Sequence, residues 1–244
     1  MGEIAANLSV VRACIQRAAE KSGRDAQTVH LVAVTKTVPV DRIREAIEAG
    51  LSEFGENRVQ EAADKFAPHG MESAETVLDD KVARDGIVLH LIGSLQRNKA
   101  RHAAALFDCI QSVDRVELVL ALNKGRTEQA AGRRLPVLVQ VNVTGEASKS
   151  GVSPHDLPKI IDAVSSADGL VGAGLMTIAR LGAGESELRQ TFGALRSLRD
   201  DVRRNHGGDW TDLSMGMSDD YEIAVEEGAT IIRLGRAIFG ARNI

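Results

Sequence analysis

The sequence predicts a single α/β domain over residues 1–244, a (β/α)8 barrel of the TIM type preceded by one extra N-terminal helix. Two observations lead there. Short apolar, β-rich runs alternate with helix-period segments along nearly the whole chain, which implies a parallel sheet with crossover helices. Eight such units fit within 244 residues, and that number suits a closed barrel better than an open, doubly wound sheet.

The elements follow in order. Ile4, Leu8, Val11 and Ile15 recur at helical spacing and predict an amphipathic helix packed on the body. VHLVAV (29–34) is the first strand; Pro39 then opens a helix carrying Ile43, Ala46 and Ile47, which Gly50 ends. LSEFG (51–55) is a short second strand, and Asn57 is placed to cap the helix in 57–66. IVLHLI (87–92) precedes a helix near 96–105. FDCIQSV (107–113) precedes one opened by Asp114, which stands at capping distance from Glu117. LPVLVQVNV (135–143) is the clearest strand; Ser153, Pro154 and Asp156 mark the helix start behind it. GLVGAGLM (169–176), TDLSMGMS (211–218) and TIIRLG (230–235) complete the strands, with helices around 185–205 and 221–228. The stretch 67–86 reads as an insertion.

Composition narrows the function. A net charge of −4, with one Trp, one Tyr and five Phe, argues against a nucleic-acid surface or a base-stacking platform. No run reaches the length of a membrane span, and the first residues lack an export signal, so a cytoplasmic protein is expected. Cys14 and Cys109 form no CxxC pair and read as reduced thiols. The six histidines make no HxH or HExxH pattern, so no metal is expected. Gly172 and Gly174 do not complete a dinucleotide fingerprint, and no GxSxG elbow is present.

In such a barrel, functional side chains project from the C-terminal ends of the strands. Lys36 stands there after the first strand, Lys99 after the third and Lys149 after the fifth. Each is either a solvated loop residue or an amine able to attack an aldehyde from an apolar pocket, and position alone does not choose among them. The loops after strands seven and eight are the usual phosphate site of barrels. Here they offer hydroxyls on Ser214 and Ser218, amides near Met217, close backbone approach at Gly216 and Gly235, and the cation of Arg233. Asp219 and Asp220 must point away from any phosphate held there.

Seven blocks then occur in order: AVTKTVP (33–39), FGENRVQEA (54–62), HLIGSLQRNKAR (90–101), VNVTGEASKSGV (141–152), GLMTIA (174–179), LSMGMSDDYEIAVEEGAT (213–230) and RLGRAIFGAR (233–242). Together they resemble the YggS/PROSC family of pyridoxal phosphate homeostasis proteins, from about residue 29 onward. That resemblance implies a fold-type III barrel similar to the N-terminal domain of alanine racemase, with pyridoxal 5′-phosphate (PLP) as cofactor. It makes Lys36 the Schiff-base lysine and Ser214, Gly216, Met217, Ser218 and Gly235 the phosphate-holding residues. Arg233 approaches either the cofactor ring or its phosphate, and Asn57 lies near the cofactor at the barrel mouth. His90 and Lys99 belong to a family block without an assigned role, and Lys149 is expected to modulate cofactor release. GSLQ stands where many relatives have GPLQ.

The resemblance implies a carrier rather than an enzyme. It would be an intracellular reservoir and donor of PLP, binding related B6 vitamers as well, with PLP-dependent apo-enzymes as recipients and a monomeric state. Racemases of this fold set a lysine against a tyrosine from a second domain. This chain stops after the eighth-strand loop, and its one tyrosine, Tyr221, falls in a helix. The competing readings are a weak PLP-dependent racemase or decarboxylase, an interaction protein without cofactor, and a barrel enzyme for another phosphorylated metabolite.

Overall fold

The computed structural model describes residues 2–66, 86–129, 132–146, 149–206 and 209–241. All but Gly86 of the apparent insertion at 67–86 lies outside them. Among the described residues, eight parallel strands close into a barrel in sequence order: β1 His30–Val34, β2 Glu53–Glu56, β3 Val88–Leu91, β4 Cys109–Val113, β5 Leu135–Gln140, β6 Leu170–Met176, β7 Asp212–Ser214 and β8 Ile231–Leu234. The closing pair is β1 with β8, which sets Val32 beside Arg233 and Ala33 beside Leu234.

Helices α1 Glu3–Lys21, α2 Val40–Glu48, α3 Val59–Phe66, α4 Ala100–Leu106, α5 Val116–Thr127, α6 Leu157–Ser165, α7 Glu185–His206, α8 Tyr221–Glu226 and α9 Arg236–Phe239 form the outer layer. The expected apolar stripe of α1 is buried at Ile4, Leu8, Val11 and Ile15, and this helix packs on α8 and α9. Most of the core lies between the strands and the helices. A smaller apolar cluster of Val32, Cys109, Leu138, Met176 and Ile231 stands apart from it. No described helix is long and apolar enough to cross a membrane.

Three helix starts differ from the sequence reading. Asn57 does not open α3, which begins two residues later at Val59. The cap of α5 is Arg115, because Asp114 is taken up by an ion pair with the Arg115 guanidinium at 2.5 Å. Ser153 and Asp156 hydrogen-bond each other in a turn, so α6 starts at Leu157 with Pro158 in its first turn. At Asp114 the ion pair with Arg115 competes with the cap that spacing alone suggested, whereas Ser153 Oγ accepts from the Asp156 amide and closes the turn just ahead of α6. The glycine of β6 at position 172 serves packing: a Cβ there would lie 2.1 Å from the Trp210 ring.

Candidate functional site at the barrel mouth

Closure of the barrel puts the ends of β7, β8 and β1 side by side, so three loops from distant parts of the sequence adjoin. The first carries Gly216, Met217 and Ser218. Gly216 has φ +97°, and a Cβ there would lie 2.6 Å from that of Ala224, so both backbone conformation and space demand glycine. The second carries Gly235, which lies against Val34 of β1, two residues before Lys36. The two phosphate-type loops are tied together, since the Ala237 amide donates to Ser218 Oγ at 3.3 Å.

The acids in the first loop are disposed of locally. Asp220 Oδ1 accepts from the Met217 amide at 2.5 Å, and Asp219 pairs with Arg236 at the start of α9 at 2.5 Å. The Met217 amide is therefore engaged within its own loop. Burial pushes the Asp220 carboxyl up, opposed by that amide and by Arg233.

Ser214 and Arg233 lie deeper. Arg233 is 4% exposed and Ser214 fully buried. The guanidinium donates through Nη1 to Ser214 Oγ and through Nη2 to the Thr177 carbonyl at 2.9 Å. Burial lowers the Arg233 pKa to about 10, with Asp220 opposing the shift, so the group is still a cation at neutral pH. From Ser214 the bonds continue downward. Ser214 Oγ meets Gln111 Oε1 at 2.6 Å, Gln111 Nε2 meets His90 Nδ1 at 2.9 Å, and His90 Nε2 meets Glu53 Oε2 at 3.2 Å. Glu53 also takes His30 Nδ1 at 2.7 Å. Burial works to raise the Glu53 carboxyl, and the two histidine bonds more than reverse it, holding it at about 2.

Lys36 sits half-buried in the turn directly after β1. Its neighbour Thr37 has φ +61° and is the only non-glycine among the described residues with positive φ. A β-branched residue in that region is strained, and such strain persists only where surroundings enforce it. They do so here through α3. Lys65 Nζ donates to the Thr35 carbonyl at 2.7 Å, to Glu56 Oε1 at 3.0 Å and to Glu61 Oε1 at 2.7 Å, while the Thr37 amide donates to Glu61 Oε1 at 2.6 Å. Thr35 Oγ1 adds a bond to Glu56 Oε1 at 2.7 Å. Glu56 is fully buried, its Oε2 has no hydrogen-bond partner, and burial raises its pKa against the pull of Lys65.

The other two lysines stand differently. Lys99 is exposed in a 3-10 turn ahead of α4. Lys149 pairs with Glu146 Oε1 at 2.6 Å and donates to Thr144 at 3.3 Å. Lys149 and Asn57 share a cavity of about 250 Å³ with Gly93, Gln140 and Asn142; Lys36 is not on its lining. Tyr221, the only tyrosine, is turned away from the mouth: burial and a hydrogen bond to Cys14 of α1 push its hydroxyl pKa up. Burial likewise raises the Cys109 thiol, which makes it an inert group of the barrel wall. No group of three or more His, Cys, Asp or Glu side chains among the described residues could hold a metal.

Sequence reasoning did not find Glu53, Glu56, Lys65, Gln111 or Thr177. A signal existed for Gln111: a polar residue inside the apolar run CIQSV must find a partner once buried. The same signal attends His90 in VLHL.

The family described as alanine racemase, N-terminal domain, matches residues 4–243. The pyridoxal phosphate homeostasis protein of Pseudomonas aeruginosa is 44% identical over 243 residues, spanning 100% of this chain and 97% of that protein. The Escherichia coli K12 protein of the same name is 40% identical over 248 residues, covering 100% and 98%. PipY of Synechococcus elongatus has been solved without PLP (TM-score 0.82, 36% identity) and with PLP bound (TM-score 0.81, 35% identity). Each covers 97% of this chain and 100% of PipY. Alanine racemase from Corynebacterium glutamicum, at 14% identity and TM-score 0.63, shares the fold over 62% of its own length. The chain therefore belongs to the alanine racemase N-terminal domain family and, within it, to the pyridoxal phosphate homeostasis proteins.

Proposed function

We propose that this chain binds pyridoxal 5′-phosphate on Lys36 and serves as a reservoir and donor of the cofactor rather than as an enzyme. The observation that carries the reading is the strained turn of Lys36 and Thr37, clamped by Lys65, Glu56 and Glu61 beside the loops of Gly216–Ser218 and Gly235. The backbone on either side of Lys36 is thereby braced, with Val34 against Gly235, which favours an amine presented beside a phosphate-type cradle and a buried cation. That donor set fits the group: lysine for an aldehyde, hydroxyl and amides for a phosphate, and a guanidinium for a ring nitrogen or phosphate oxygen.

When bound, the cofactor supplies an aldehyde that condenses reversibly with a lysine amine, releasing water. The residues of the chain position and shield it. Ser218 and amides of the glycine-bearing loops other than that of Met217, which Asp220 takes, would bind the phosphate, and Arg233 would present its remaining N–H donors to the bound molecule. Asn57 would line the mouth beside it. Lys149, paired to Glu146, would act on release.

Two features support a carrier. Relatives at 36–44% identity are named for homeostasis. Tyr221 is packed against α1, so it does not supply a second base across from Lys36. PLP-dependent apo-enzymes of the cytoplasm are the recipients this reading requires, and other B6 vitamers bearing the same phosphate would enter the same cradle.

The test is to load purified protein with PLP, record the visible spectrum, reduce with borohydride and map the modified peptide. An adduct on Lys36 that disappears in Lys36→Ala is expected. An adduct solely on Lys99 or Lys149 would overturn the site. Sustained amino-acid turnover lost in Lys36→Ala would overturn the carrier assignment.

A further inference from the structure

The bonds between Arg233 and Glu53 have only one consistent direction. A guanidinium donates and never accepts, so Ser214 Oγ accepts from Arg233 and must send its own hydrogen elsewhere. It goes to Gln111 Oε1. The Gln111 amide nitrogen then faces His90, whose Nδ1 must be a bare lone pair. That leaves the His90 proton on Nε2, pointing at the Glu53 carboxylate, which only accepts. Donors thus run one way, from the cation under the barrel mouth to the anion at its floor, where a cavity of about 440 Å³ exposes Glu53 and His30. The five side chains come from β8, β7, β4, β3 and β2. They occupy barrel space that branched apolar side chains usually fill, here represented by Val32, Leu138 and Met176.

We infer that Gln111 and His90 are positioning residues for the cofactor site, holding Ser214 and Arg233 in one orientation through a one-way file of hydrogen bonds that ends on Glu53. Neither touches the mouth. Turning the Gln111 amide over would aim its N–H groups at Ser214 and strand the serine proton. It would also require a proton on His90 Nδ1. Chains with a single sense polarise one another, so the file resists such a turn as a unit. The consequence for the site is that Arg233 presents the same N–H donors to each incoming cofactor, and Ser214 is held as their acceptor. The effect on binding rests on the PLP reading of the site; the state of the His90 ring does not.

The experiment therefore has two arms. In unloaded protein, 15N shifts of the His90 ring, assigned by their loss in His90→Phe, report which nitrogen bears the proton. A neutral ring protonated at Nε2 is expected, and a proton on Nδ1 overturns the file. In loaded protein, the PLP dissociation constant and the absorbance maximum are compared for the unmodified chain, Gln111→Leu and Gln111→Glu. Gln111→Leu removes the serine's acceptor and should weaken PLP about tenfold and move the absorbance maximum, with Lys36 still the modified residue. Gln111→Glu restores an acceptor to Ser214, so most of the affinity should return while His90 becomes protonated at Nδ1. Wild-type affinity and spectrum in Gln111→Leu, or an equal loss in Gln111→Glu, would overturn the positioning role. If the unmodified chain binds no PLP, the carrier reading itself fails, and the file is decided by the ring nitrogens alone.

Discussion

Lys36 and Lys149 look interchangeable in the sequence, each following a barrel strand, yet the structure surrounds them with opposite kinds of chemistry. Beneath the Lys36 turn lies a buried cluster in which one ammonium, Lys65, serves a backbone carbonyl and two carboxylates. Around Lys149, among the described residues, there is a partly exposed ion pair with Glu146 and a hydrogen bond to Thr144, on a loop whose described side chains from 142 to 151 are half-buried or exposed. A buried ion cluster fixes geometry because breaking it strands a charge away from water. An exposed pair costs little to open and leaves its lysine able to move. The difference teaches that rigidity at the mouth comes from the residues underneath a loop, and that a braced lysine turn and a loosely paired lysine can be built from the same residue type.

The largest effect should come from breaking the cluster. Lys65→Met leaves fully buried Glu56 without its cation and should cost about 3 kcal/mol in urea unfolding at neutral pH. The double variant Lys65→Met/Glu56→Gln should recover most of that loss, because no charge is then stranded. Acid sharpens the contrast. Glu56 has a raised pKa in the fold, so its burial penalty is absent below the ordinary carboxyl value of 4.5 and appears as pH rises toward its folded value. The destabilisation by Lys65→Met should accordingly shrink as unfolding is repeated from pH 7 down to pH 4, and a pH-independent loss would mean that Lys65 matters through packing alone. The smallest effect belongs to the other side: Glu146→Gln should leave Tm unchanged within error, since the pair is partly exposed and screened. A clear drop in Tm there would erase the contrast between the two lysines.

Much of this fold was legible in advance. Strand runs such as VHLVAV and LPVLVQVNV, with glycine and proline punctuation, placed the β/α units, and the spacing of Ile4, Leu8, Val11 and Ile15 placed α1. Glycine at 216 was legible as a close approach in a phosphate-type loop. The polar interior was not. Which face of β4 turns inward depends on how the barrel closes, so Gln111 carries no local mark of meeting residues from β3 and β7. Lys65 reads as an ordinary solvated helix lysine until α3 is laid against the end of β1. The helix starts expected at 57, 114 and 153 each fall early: α3 begins at Val59, the Asp114 carboxylate is taken by Arg115, and Ser153 caps a turn that ends where α6 begins.

The chain has one tryptophan, and the close packing of Trp210 on Gly172 gives it a further use. The indole is 3% exposed and wedged against β6. Its emission therefore comes from a single site whose surroundings exist only while the sheet is closed. Unfolding should move that emission to longer wavelength in one step if barrel and outer helices come apart together. A bound chromophore absorbing near the indole emission would quench it by energy transfer. The molecule thus carries an intrinsic optical gauge that follows loading and folding in the same cuvette, without a label and without touching Lys36.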